Sequence, residues 1–284
     1  MVGRSNPTVL RRQLGAELRR LREATGTTAA GAAAKLDWSE SKLSRIETAH
    51  NSIRNADLER LFKLYKVSDA ERARLLALAG QARQRAWWEA YGDSLPNAYE
   101  AYIGFEAEAT SIFTYQCQAV PGLLQTVEYA HNVNQVEHPD EPDLVNQRVS
   151  VRMARQAVLT REPSPRLWAI LDEAVLRRCV GGPDVMRRQL MRLAEAAELS
   201  MITIQVLPFE TGAHRGWAGP FVILEFAGST EHPLVYCEGM TGGVIRSKPE
   251  ELRRYWMSFE SLKSASLTEP DSIDFIRAVA RSER

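Results

Sequence analysis

Between Asp37 and Glu47 the chain reads DWSESKLSRIE. Lys42 and Arg45 supply positive charge in this stretch, and Ser39, Ser41 and Ser44 supply hydroxyls. On a helix capped by Ser39, Leu43 and Ile46 take the inward face, leaving Glu40, Ser41, Lys42, Ser44 and Arg45 outward. An Arg guanidinium can make two hydrogen bonds to guanine in the major groove, while hydroxyls and helix N-termini grip phosphate. The chemistry on offer is DNA reading; a solvated helix face with incidental charge is the alternative. A second group could do acid–base work: His214 in a glycine-containing loop with Glu210 and Arg215, and Asp172-Glu173 after an apolar run. No GxSxG, HExxH, P-loop or dinucleotide motif accompanies it. Gly181-Gly182 and Gly242-Gly243 read as turns, and His131 and His138 have no nearby ligand partners. Cys117, Cys179 and Cys237 lie far apart and outside any CxxC, which suggests neither a disulfide framework nor a zinc site. No catalytic residue, metal or cofactor is expected, and an enzyme tethered to DNA is the remote alternative.

The elements that would hold these groups begin with a charge division. The chain has 284 residues and no net formal charge, yet residues 1–85 hold 17 Lys and Arg against 9 Asp and Glu. Residues 86–284 hold the remaining 19 against 27. A basic first third suggests a polyanion partner. No apolar run approaches ~18 residues, so a cytoplasmic protein without a membrane partner is expected, nucleoid-associated when bound to DNA.

Leu10, Leu14, Leu18 and Leu21 mark a first amphipathic helix ending near Gly26. Thr27 and Thr28 can cap a second, AAGAAAKL, whose small side chains let another helix come close. Asp37 can take the left-handed conformation of the following turn. A fourth helix spans about Ala56 to Tyr65, and Ser68-Asp-Ala-Glu71 opens a fifth as a capping box. This five-helix pattern, with LRRLREATG, Ala33 and SKLSRIE, resembles the Cro/cI-type (XRE) helix-turn-helix family over roughly residues 9–80. The resemblance implies that the 39–48 helix is the recognition helix, and that Thr28, Ser39, Glu40, Ser41, Lys42, Ser44 and Arg45 face double-stranded DNA. It also implies a partly buried ion pair between Arg22 and Glu47. Ala29 and Asp37 stand where that family usually has Gln and Gly, which removes one phosphate anchor.

After a junction around residues 84–97, aromatics cluster: Trp87, Trp88, Tyr91, Tyr99 and Tyr102 suit a core or a subunit contact. From Asn97 to about Val136 the chain reads helical, broken at Pro121-Gly122, with Leu124, Val127 and Ala130 on one face. A further helix carries the stripe Val145, Val149, Met153 and Ala157. RLWAIL reads as a buried strand, and MITIQVLPF, PFVILEF and LVYCEG as strands of one small antiparallel sheet. Ser247-Lys-Pro-Glu250 and Thr268-Glu-Pro-Asp271 open two last helices. The expected fold is therefore a mainly α helix-turn-helix domain, 1–85, and an α+β domain, 86–284.

VPGLLQTVEYA, RMARQAVL, LDEAVLRRCVGGPDVMRRQL and IQVLPFETGAHRGWAGPFVILEF resemble the C-terminal domain of antitoxin-like regulators of actinomycetes, of the WhiJ type, over about 90–265. The resemblance implies a transcriptional regulator controlled by a small protein partner encoded nearby. A homodimer follows from physics, since one helix-turn-helix reads only a few base pairs. A small-molecule effector bound by the second domain is the alternative.

Overall fold

The computed structural model of the chain describes residues 7–49, 53–82, 95–227, 233–240 and 242–282. The chain divides into two compact units, Met1–Ala90 with Ile103–Glu108, and Tyr91–Tyr102 with Ala109–Arg284. Most of the expected 84–97 junction lies outside the described residues, as do Trp87, Trp88 and Tyr91.

In the first unit the leucine spacing produces helices α1 (Pro7–Ala24), α2 (Ala29–Leu36), α3 (Glu40–Glu47), α4 (Asn55–Tyr65) and α5 (Asp69–Ala82). Leu14, Leu18 and Leu21 of α1 meet Leu43 and Ile46 of α3 and Leu58, Leu61 and Phe62 of α4 in one core. Each such side chain contributes roughly 1.5–3 kcal/mol on burial. Ala32 and Ala33 seat α2 on this core. Asp37 ends α2 at φ 56 and ψ 45, and its amide bonds the carbonyl of Ala34. That left-handed residue makes the turn into α3, and Asp tolerates it better than most side chains do.

The second unit is built on a six-stranded sheet in the order β3-β2-β1-β4-β5-β6. Its strands are β1 (Ser111–Gln116), β2 (Arg166–Asp172), β3 (Ile202–Leu207), β4 (Phe221–Glu225), β5 (Leu234–Cys237) and β6 (Val244–Arg246). Helix α6 (Asn97–Glu108), of which Ile103–Glu108 is counted with the first unit, precedes β1 in the chain. Helices α7 (Val127–Glu137) and α8 (Pro142–Arg155) connect β1 to β2, and α9 (Glu173–Arg177) and α10 (Pro183–Ala196) connect β2 to β3. Helices α11 (Pro249–Ala265) and α12 (Glu269–Ser282) close the chain. Phe259 and Leu262 of α11 pack on Tyr115, Ile170 and Ile223 of the sheet. The outer edge of β3 is covered: Val206 donates its amide to Ser272 Oγ at 2.9 Å and accepts one from Leu267. Tyr99 and Tyr102 serve this unit internally, with the Arg155 guanidinium 5.1 Å from each ring centre and Tyr102 stacked on Tyr236 at 4.3 Å.

The sheet is mixed, which corrects the antiparallel expectation. β1, β2 and β3 run parallel, whereas β4 pairs antiparallel with β1 and β5, and β5 with β6. The central strand β1 was hidden in a segment expected to be helical. Both its faces are covered, so the polar–apolar alternation that marks a half-exposed strand is missing. Two helix boundaries also move. Gly122–Leu124 forms a 3-10 turn and Thr126 caps α7, which leaves Val127 54% exposed rather than in the expected apolar stripe. Helix α8 ends at Arg155 in a 3-10 turn, which puts Ala157 on the surface. Ser247 provides no cap, since Lys248 occupies the N-terminus of α11 without a side-chain bond.

Candidate nucleic-acid interface

Both helices of the helix-turn-helix begin on a hydroxyl. Thr28 Oγ1 accepts from the Gly31 amide at 3.1 Å and Ser39 Oγ from the Lys42 amide at 3.1 Å. Each oxygen that accepts a backbone amide keeps its own O–H to donate, the arrangement a phosphate oxygen needs beside a helix N-terminus. Glu40 lies exposed in the first turn of α3, and Ser41, Ser44 and Arg45 are exposed along the same helix. Ser41 Oγ accepts from Arg45 Nε at 3.2 Å and from Nη2 at 2.8 Å. The guanidinium is thereby held along the helix surface one turn from its base. Lys42 is turned aside: its ammonium is 3.1 Å from Asp57 Oδ2 on α4 and 3.9 Å from the centre of the Trp38 ring.

Behind this surface Arg22 of α1 grips Glu47 at the end of α3. Nε donates to Oε1 at 2.7 Å and Nη2 to Oε2 at 2.9 Å, with both side chains less than a tenth exposed. The hydrogen bonds to Glu47 raise the Arg22 pKa above its usual value. Arg22 Nη1 also donates to the Thr27 carbonyl at 3.0 Å, so the same guanidinium ties the α1–α2 loop to α3. Gly15, Asp57 and Arg60, which sequence reasoning passed over, shape the site together with the turn residue Trp38. A Cβ at Gly15 would stand 2.6 Å from the Glu47 carbonyl and 2.8 Å from that of Ile46, so α1 lies directly on the end of α3. Trp38, Asp57 and Arg60 form the flank of the turn, with the Arg60 guanidinium bonded to the Leu36 carbonyl and 5.6 Å from the Trp38 ring centre. The glycine inside a helical pattern was the one available signal.

In the second unit the chain leaves β3 at one edge and enters β4 beyond β1, so residues 208–220 cross the carboxyl ends of β2 and β1. His214 is set there with Asp172, Nε2 to Oδ2 at 3.8 Å, and Asp172 also accepts from the Tyr115 hydroxyl at 3.3 Å. Burial first, then the Asp172 charge, pushes the Tyr115 phenol and the Cys117 thiol up. Other polar residues expected near His214 have different tasks. Glu173 accepts from the Phe209 amide at 2.9 Å and from Arg177 at 3.1 Å, while Glu210 and Arg215 face solvent. His131 is exposed, and His138 meets Glu141 at 3.3 Å. Among the described residues no group of His, Cys, Asp and Glu is arranged to hold a metal ion.

A family model described as Domain of unknown function (DUF5753) matches residues 99–278, more than half of the chain. The chain belongs to the DUF5753 family. A second model, described as Helix-turn-helix domain, matches residues 13–75, which span α2 and α3 with the turn between them. This DUF5753 protein therefore carries a helix-turn-helix unit of the DNA-binding, regulatory kind ahead of its family domain. No curated protein and no solved structure matches the chain. Among the described residues no helix is long and apolar enough to cross a membrane.

Proposed function

We propose that this DUF5753 protein is a sequence-specific transcriptional regulator of the XRE type that binds double-stranded DNA as a homodimer in the cytoplasm. The observation that carries the reading is Arg45, exposed on α3 and held along it by Ser41, on a helix-turn-helix whose two helices both start on a hydroxyl cap. The basic balance of residues 1–85 supports it, and coupling two half-sites supports the dimer. The 86–284 part is read as an antitoxin-like receiver of a small protein partner encoded nearby, on the strength of its sequence resemblance. The proposal includes no catalytic step and no cofactor.

A second reading gives that domain a small-molecule effector. It is favoured by Asp172, His214 and Tyr115 at the carboxyl ends of two parallel strands, the place where open α/β sheets bind ligands. Selection of bound duplexes from a random library tests the main reading. Arg45→Ala should cost ~1–3 kcal/mol at the selected site if Arg45 pairs with guanine. Equal binding by wild type and variant would remove α3 from the reading role. A shift of affinity with the purified product of the neighbouring gene, but not with metabolites, would favour the protein partner.

A further inference from the structure

Recognition by α3 leaves one acidic residue unexplained. Asp57 stands in the first turn of α4, and its carboxylate reaches across to Lys42 of α3 at 3.1 Å, with Arg60 Nη1 4.0 Å from its other oxygen. Lys42 is engaged from two sides, by this carboxylate and by the Trp38 ring at 3.9 Å. The other cation beside Trp38, Arg60, is bonded to the Leu36 carbonyl. Arg45, by contrast, meets among the described residues only a neutral partner on its own helix, the Ser41 hydroxyl.

A lysine ammonium is a point charge that attracts any phosphate, whereas the planar guanidinium can address a base edge. A free lysine on the recognition helix would therefore strengthen binding to every sequence alike. We infer that Asp57 is a specificity-determining residue: it neutralises Lys42 at the flank of the reading surface, so that α3 meets DNA through Arg45 and nonspecific binding is held down. This rests on the DNA-binding reading above. Trp38 keeps the ammonium at the carboxylate by stacking beneath it, and is a positioning residue in the same device.

The test compares full-length wild type, Asp57→Asn, Lys42→Ala and the double variant on a random-sequence duplex and on a duplex selected by wild type, across a salt series. Releasing Lys42 in Asp57→Asn adds one phosphate contact. The slope of log K against log salt should steepen by about 0.9, roughly eight-fold in affinity for each tenfold dilution of salt. The affinity ratio of selected to random duplex should fall. Lys42→Ala alone should not steepen the slope, since it leaves the Asp57 carboxylate without its cation, and the double variant, neutral like the wild-type pair, should return to the wild-type slope. A wild-type slope for folded Asp57→Asn, or a double variant as steep as Asp57→Asn, would overturn the inference. Failure of wild type to bind any duplex at low salt would instead overturn the DNA-binding reading itself.

Discussion

At the scale of single residues, the first unit spends few polar groups in its interior and uses them to fix α3. Arg22 and Glu47 satisfy each other bidentately, and Arg22 satisfies a loop carbonyl as well. Tyr65 is the exception nearby: its hydroxyl is buried and has no hydrogen-bond partner among the described residues. Burial, followed by the negative charge of Glu47, pushes its pKa up to about 12 from 10. The neutral phenol is the form that the fold favours. Its contribution is fully present below pH 10, the unfolded value, and is lost as pH rises through about 12. Two pH units correspond to about 2–3 kcal/mol. Tyr65→Phe should therefore match or exceed wild-type stability near neutral pH, because no bond is lost. Its advantage should grow on going to about pH 12. Urea unfolding at the two pH values would measure this; equal losses in both proteins would show that the phenol titrates as in the unfolded chain. Tyr65 was legible as a core position from its helical spacing with Leu58, Leu61 and Phe62. Its charged neighbours come from α1 and α3, and spacing within one helix carries no trace of them.

At the scale of elements, periodicity located α1, α3 and α4 because each lays an apolar face on a single core, while caps located α2 and α5. The same rule failed where an element is covered on both faces, as β1 is, and where the partner strand lies far along the chain. The sheet's hand of pairing was beyond reach for that reason: MITIQVLPF and PFVILEF are neighbours in sequence, but β1 and β2 separate them in space. The pairing of His214 with Asp172 depends on the same crossover, and no local pattern announces it. Glycine position is where sequence and packing meet most sharply. Gly15 in α1 and Gly80 in α5 are both helical, and Ala is intrinsically better in a helix by up to about 1 kcal/mol. At Gly80 nothing lies within 4 Å of an added Cβ, so Gly80→Ala should stabilise by about that amount. At Gly15 the added carbon meets two backbone carbonyls, at 2.6 and 2.8 Å, which no rotamer change relieves. Overpacking against backbone costs roughly 1–3 kcal/mol and outweighs the propensity gain. Gly15→Ala should thus lower the melting temperature and, by displacing the end of α3, weaken DNA binding. Equal effects of the two substitutions would mean that α1 does not rest on α3 as closely as described.

At the scale of the whole molecule, charge divides the labour. The excess of eight positive charges in residues 1–85 is offset by an equal negative excess in 86–284, so the chain as a whole has no net charge to draw it to DNA. Attraction must come from the first unit alone, and acidic groups elsewhere repel phosphate. A 1–85 fragment should keep the sequence preference of the full chain but bind more weakly, since it loses the coupling of two half-sites. Its affinity should fall steeply with salt, because counterions displaced from the duplex drive the contact. An 86–284 fragment should self-associate and leave DNA unbound. The buried arrangement of the latter gives its association physical room: Trp217 and Met240 lie exposed in its loops and Met257 on α11, while the outer edge of β3 is already closed by its own chain. Gel shifts over a salt series and sedimentation of both fragments would decide the matter. DNA binding by 86–284, or a monomeric 86–284 at micromolar concentration together with full-strength binding by 1–85, would place dimerisation and recognition in the same unit and undo the division.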